Sequence, residues 1–219
     1  MGGVATMDMA HSWESADFSK QLSIARAELD ALKAGKVAPV FGSLLDLLKM
    51  YIPKGRSFTL LDCACAAGYY YDLIQSSADL QIQYTGSDLA PAAIELARSR
   101  HPAVEWHAAS ITALPFGDAS FDIVMASGVL EHVPAWETAL AEMARVARQY
   151  VIMHRLPISP SGQFQDGAME MYGIPTVRYS FAFHEIIEMM QGFGFILINS
   201  IDTYHTHKIP EQTVLFKRR

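Results

Sequence analysis

The chain has 219 residues, 51% of them hydrophobic and 18% charged, which suffices for one well-buried core and is short for two domains. A formal net charge of -6, with no basic run longer than Lys217-Arg218-Arg219, argues against a nucleic-acid partner, which would call for a basic footprint. No stretch approaches the roughly 18 consecutive apolar residues of a membrane span, and Met1-Gly2-Gly3-Val4 has neither the basic nor the apolar region of a secretory signal, so a cytoplasmic protein is expected.

In chain order, the first expected element is a helix. Phe18, Leu22, Ala25, Leu29 and Leu32 recur at helical spacing, with Asp17 as N-cap and Gly35 as stop. A second helix starts at Pro39 and is apolar on most sides through Tyr51, until Pro53 and Gly55 end it. From there strands at 58–63, 82–87, 104–109, 121–126 and 150–154 alternate with helices near 69–76, 91–100 and 136–147, the α/β signature. Val151-Ile152-Met153 is unbroken and apolar, as a strand covered on both faces should be. A helix at 182–191, a turn bracketed by Gly192 and Gly194, a strand at 195–201 and a last strand at 213–216 complete the chain. Residues 1–56 form an N-terminal helical extension in this reading, and 57–219 the main domain.

The most informative segment is Leu60-Leu61-Asp62-Cys63-Ala64-Cys65-Ala66-Ala67-Gly68, a buried strand running into a small-residue turn before the helical stretch Tyr69-Tyr70-Tyr71-Asp72-Leu73-Ile74. Small residues let the backbone approach a nucleotide-type ligand, and the next helix offers free N–H groups. The second strand ends in Asp88, placed as the acid that accepts ribose hydroxyls in a βαβ unit, and Pro91 opens the following helix at a favoured first position.

On these residues the chain resembles the class I S-adenosylmethionine-dependent methyltransferases, particularly the small-molecule group that includes ubiquinone and menaquinone C-methyltransferases. The pattern hhD-x-G-x-G-x-G falls on Asp62, Ala64, Ala66 and Gly68, with alanine at two glycine positions and Cys65 where a cysteine is frequent. Ala109 to Val124 is similar to G-D-A-x-x-L-P-F-x-D-x-S-F-D-x-V, with Ser110 in place of the usual Asp, and Ser127-Gly128-Val129-Leu130-Glu131-His132-Val133 is similar to the element after the fourth strand. The resemblance implies a Rossmann-like, doubly wound seven-stranded sheet, mostly parallel with an antiparallel C-terminal strand; the N-terminal helices, outside the shared framework, are read as a lid or extension. The resemblance also implies S-adenosyl-L-methionine as methyl donor, S-adenosyl-L-homocysteine as product and a small-molecule acceptor. Carried over residue by residue, Asp62 lies near the methionine end and Ala64, Cys65, Ala66 and Gly68 lie under it. Asp88 holds the ribose, Leu89 packs on the adenine, Ser110 and Ile111 border its edge, and the backbone at Ser127 and Gly128 faces the amino-acid part.

Direct transfer of an activated methyl group needs position and dryness more than an elaborate catalytic apparatus. His132 is the candidate catalytic residue, as a base for the acceptor's proton or as a group orienting its loop, with Glu131 beside it read as solvent-facing or structural. Acceptor selection is expected from the N-terminal region, through Trp13 and Phe18, and from the long connection 155–183, through Tyr172 and Arg178. No metal is expected: His205 and His207 lack a third ligand and read as edge-strand histidines, and Cys63 and Cys65 read as small packing residues. A second reading keeps the fold without catalysis, as a sensor of the cofactor or of another nucleoside, because the two alanines load the turn. A nicotinamide dehydrogenase fits worse, since its third glycine would fall on Tyr69.

Overall fold

The computed structural model describes residues 39–77, 79–171, 174–203 and 209–219, with scattered positions between 23 and 36. Trp13, Phe18, Tyr172, His205 and His207 lie outside the described residues, as does most of the first expected helix. Its expected stop is described: Gly35 has φ 76 and Lys36 N donates to Ala31 O, the left-handed closure of a helix C-terminus.

Strand β1 (Phe58–Cys63) lies inside the sheet, hydrogen-bonded in parallel to β2 (Ile82–Asp88) on one side and β4 (Phe121–Ser127) on the other. Its sequence, apolar on both faces, is what a central parallel strand requires. The complete sheet has seven strands in the order β3-β2-β1-β4-β5-β9-β8, with β3 spanning Glu105–Ala108, β5 Ala147–Pro157, β8 Phe195–Thr203 and β9 Glu211–Arg218. Strand β9 runs antiparallel to both β5 and β8, so a single reversed strand lies inside an otherwise parallel sheet.

Helices α1 (Pro39–Tyr51), α2 (Tyr69–Gln75) and α3 (Pro91–Arg100) contribute to one apolar cluster with Phe58, Leu60, Tyr84 and Trp106. On the opposite face α4 (Trp136–Val146) and α5 (Phe183–Gly192) pack with Leu61, Val124, Val151 and Phe216. Alternate residues of β1 thus feed two cores, the two-sided burial its sequence implied. At the opposite end of the sheet from the turn, Asp122 ties three strands: its Oδ2 accepts from Thr59 N and its Oδ1 from Arg148 and Gln149. These hydrogen bonds, outweighing burial, hold its carboxyl below the usual range.

Several features exceed the sequence reading: β8 and β9 run past the expected 195–201 and 213–216. Strand β5 was expected over 150–154 and runs over Ala147–Pro157, because β4 and β9 pair with it beyond its apolar centre. The connection to α5 contains an unexpected antiparallel hairpin, β6 (Ala168–Met171) with β7 (Ile174–Val177). Pro175 in β7 had masked it, yet a two-stranded ribbon has an outer side on which a missing N–H costs nothing.

Candidate active site

The carboxyl ends of β1, β2, β3 and β4 bring most of the expected site residues to one edge of the sheet, where α/β folds bind ligands. After β1 the backbone alternates into the left-handed region three times, at Ala64 (φ 62), Ala66 (φ 48) and Gly68 (φ 75). These are the three positions at which the sequence pattern calls for glycine, so each alanine holds its Cβ against the following carbonyl at a cost of about 1 kcal/mol or more. Two clips hold the turn in this shape. Ala66 N donates to Asp88 Oδ2 at 2.8 Å, and Cys65 N donates to Ser87 O at 3.0 Å.

Gly68 has a second task. A Cβ on it would lie 2.4 Å from the Trp106 ring, and one on Gly86 would lie 2.3 Å from the same ring. Trp106, whose Nε1 donates to His101 O, therefore fills the groove between the turn and β2 and sets their separation. Arg100 braces the turn from below, donating to Ala67 O and to Asp72.

Asp88 is almost wholly buried, its Oδ1 accepting from Ala90 N at 2.9 Å while Oδ2 serves Ala66. Burial raises its pKa against the pull of those backbone N–H groups. Each carboxylate oxygen has lone-pair capacity beyond these single bonds, which leaves room for two ligand hydroxyls. Ala109 N, at the end of β3, donates to Asp88 O and brings Ser110 and Ile111 alongside. The Ser110 hydroxyl lies 2.8 Å from Thr112 Oγ1 and accepts from Thr112 N, while Ile111 is buried.

Asp62 is fully buried. Tyr84 donates its hydroxyl to Oδ2, and Oδ1 has no partner among the described residues. Burial, with a smaller push from Asp88, raises its pKa to about 7 against the Tyr84 hydrogen bond. Cys63 and Cys65 are buried beside it as free thiols whose pKa values burial pushes well up, in keeping with packing roles.

Beyond β4, Gly128 takes φ 56 and its N–H donates to His154 O, while Ser127 Oγ lies 2.6 Å from the Tyr70 hydroxyl. His132 follows in a 3-10 turn (Leu130–His132), buried, with Nδ1 2.8 Å from Val177 O. A carbonyl only accepts, so Nδ1 is the donor, and His132 fastens the β6–β7 hairpin to the site edge. Glu131, expected to be structural or to face solvent, is not solvent-facing: it is buried, and burial raises its pKa. The cause is the hairpin's exit strand, where Tyr179 N donates to Glu131 O and closes over it. Arg178 lies half-buried on that exit, with its backbone N–H bonded to Gly167 O.

The sequence reading missed Arg155. It occupies the carboxyl end of β5 with φ 59, donates from Nε to Glu211 Oε2 at 3.3 Å, and lies beside Gly128. The available signal was a cation directly after the buried run Val151-Ile152-Met153-His154, at the ligand-binding end of a strand. Among the described residues no group of three or more His, Cys, Asp or Glu could hold a metal ion, and no helix is long and apolar enough to cross a membrane.

The strand order with its single reversed strand is a Rossmann-like fold of the methyltransferase type. In comparison with known proteins, the model of the methyltransferase domain family matches residues 61–153, and over that segment the chain is similar to it. A probable S-adenosylmethionine-dependent methyltransferase of Mycolicibacterium smegmatis is 27% identical over 153 residues, covering 67% of this chain and 55% of that protein. The 2-phytyl-1,4-naphtoquinone methyltransferase of Thermosynechococcus vestitus is 26% identical over 166 residues, covering 66% of this chain and 73% of that one. The chain spans only 34% to 55% of the length of the first relatives it matches. In fold it is similar to magnesium protoporphyrin IX methyltransferase from Synechocystis with bound S-adenosylmethionine, at TM-score 0.66 and 15% identity over the whole of both chains. It is likewise similar to 1,6-didemethyltoxoflavin-N1-methyltransferase of Burkholderia thailandensis, at TM-score 0.66 and 16% identity over 100% of this chain and 92% of that one.

Proposed function

We propose that the protein is a cytoplasmic S-adenosylmethionine-dependent methyltransferase that acts on a small-molecule acceptor and yields S-adenosylhomocysteine. The observation that carries this reading is the turn at residues 64, 66 and 68, left-handed at three alternate positions and tied by Ala66 N–H to Asp88. Retaining two strained alanines there is costly for a packing loop and understandable for a ligand cradle. Asp62 supports the fit, since its buried and unpartnered Oδ1 matches a ligand that brings a hydrogen-bond donor to the methionine end.

When bound, the cofactor supplies a methyl group already activated by its sulfonium. Asp88 would hold the two ribose hydroxyls with the lone pairs its backbone donors leave over. Leu89, Ile111 and Ser110 would flank the adenine, and the Cys65, Ser127 and Gly128 backbone would border the amino-acid part. His132 would orient its loop through Nδ1–H on Val177 O, a tautomer that leaves Nε2 as the basic nitrogen for the acceptor's proton. The residues ahead of α1 would form the lid, with Trp13 and Phe18 on the acceptor side together with Tyr172 and Arg178, whereas α1 itself is part of the core. The acidic net charge and the relatives' named substrates favour a small molecule over nucleic acid. Transfer of a tritiated methyl group from S-adenosylmethionine across an acceptor panel tests the reading. Label in a small-molecule product is expected, and label confined to nucleic acid would contradict it.

A further inference from the structure

Arg155 is set apart from the other arginines by its backbone. Apart from Ala64, Ala66 and Ala119 it is the one non-glycine residue among those described with a positive φ, and it sits where the β5–β9 register shifts between Met153 and Leu156. An irregularity of this kind redirects a side chain, and left-handed strain in a β-strand residue persists only where the surroundings impose it. The redirected guanidinium lies over Gly128, in ordinary van der Waals reach at 3.5 Å from where a Cβ of that residue would stand.

Only Nε is committed, to Glu211 Oε2 at 3.3 Å, and among the described residues no acceptor is bonded to Nη1 or Nη2. The side chain as a whole is 36% exposed, so it is not sealed from solvent. Burial works against its charge, but Tyr70, Glu211, Tyr69 and Glu131 around it raise its pKa and keep it protonated. In the sheet order β1-β4-β5 the fork is two strands from the cofactor turn, roughly 10 Å away and next to the connection that closes the acceptor side.

We infer that Arg155 is an acceptor-binding residue whose two Nη groups hold a carboxylate carried by the molecule to be methylated. The inference rests on the methyltransferase reading above. A planar fork with two parallel donors is the arrangement that recognises a carboxylate bidentately, and lysine does not reproduce it.

The test is calorimetric titration of the S-adenosylhomocysteine-saturated protein with matched probes, 4-hydroxybenzoate against 4-hydroxybenzamide and octanoate against octanamide. Arg155→Gly is the main variant, because glycine accepts the local φ and removes only the side chain; Arg155→Lys keeps the charge and loses the fork. At least one carboxylate is expected to bind the wild type about tenfold more tightly than its amide. That preference should vanish in Arg155→Gly and weaken in Arg155→Lys, with S-adenosylhomocysteine affinity unchanged within about threefold. Equal binding of acid and amide, or binding of neither, overturns the inference. So does a loss of S-adenosylhomocysteine affinity in Arg155→Gly while 5′-methylthioadenosine still binds, which would assign the fork to the cofactor's own carboxylate. Failure of the wild type to bind S-adenosylhomocysteine would count against the cofactor reading instead, and the same probes on the unloaded protein would then decide the role of Arg155 separately.

Discussion

The β1–β2 end of the site and the β5–β9 end solve the same problem in opposite ways. At the first, a buried acid, Asp62, is left with one oxygen unpartnered and its pKa raised to about 7. At the second, a buried base, His154, has its pKa lowered to about 3 by burial and by Arg155, with Nδ1 2.7 Å from the Thr213 hydroxyl. Thr213 in turn meets Ser43 and Thr203, so that end is joined by a buried polar network drawing on α1, β5, β8 and β9. One end is a local backbone device made within a few residues; the other is assembled from distant segments.

The sharpest way to break the comparison is pH. A carboxyl with a raised folded pKa binds more protons in the folded state, so Asp62 contributes stability that is present below 3.8 and is lost as pH rises to about 7. His154 does the reverse, with stability present above 6.5 and lost as pH falls towards about 3. Asp62→Asn is therefore expected to gain stability over the wild type between pH 4 and 7.5, by up to roughly 4 kcal/mol. His154→Gln should reduce the loss of stability below pH 6. Denaturant melts across pH check both, and parallel wild-type and variant curves would contradict the assignment.

Next in size is the packing that spaces the turn from β2. Gly86→Ala would drive a methyl into the Trp106 ring and Cys65 Sγ, and a destabilisation of about 1–3 kcal/mol is expected from a urea melt. The variant should also loosen cofactor binding, because the same ring abuts Gly68; unchanged stability would show that Trp106 is free to move.

The smallest expected effect bears on the strained alanines. Ala66→Gly relieves left-handed strain but adds freedom to the unfolded chain, so a net stabilisation of about 0.5 kcal/mol is expected. A clear destabilisation would mean that the Cβ of Ala66 makes packing contacts worth more than the strain.

The contrast between the two ends also explains what was legible in the sequence. Strand β1, helix α3 with Pro91 at its start, the small-residue turn and Asp88 could be read because each rests on neighbours in the chain or on a fixed βαβ spacing. Arg155, Glu211 and the Thr213 network could not, because they depend on a register shift against a strand some 60 residues later, which no local pattern encodes. The burial of Glu131, which leaves only the structural one of its two expected roles, was hidden for the same reason: its backbone partner Tyr179 lies far along the chain. The role of Trp106 was hidden too, since two glycines and a tryptophan on three separate elements reveal their fit only in space.

The central claim is that the turn and Asp88 form one ligand cradle, and calorimetric titration with S-adenosylhomocysteine tests it most directly. The wild type is expected to bind, and folded Asp88→Ala to bind more weakly by about 1.5–3 kcal/mol, roughly 10- to 150-fold, as charge-assisted hydrogen bonds and the clip on Ala66 are lost. Equal affinity in the two proteins, or no binding by the wild type, would contradict the account.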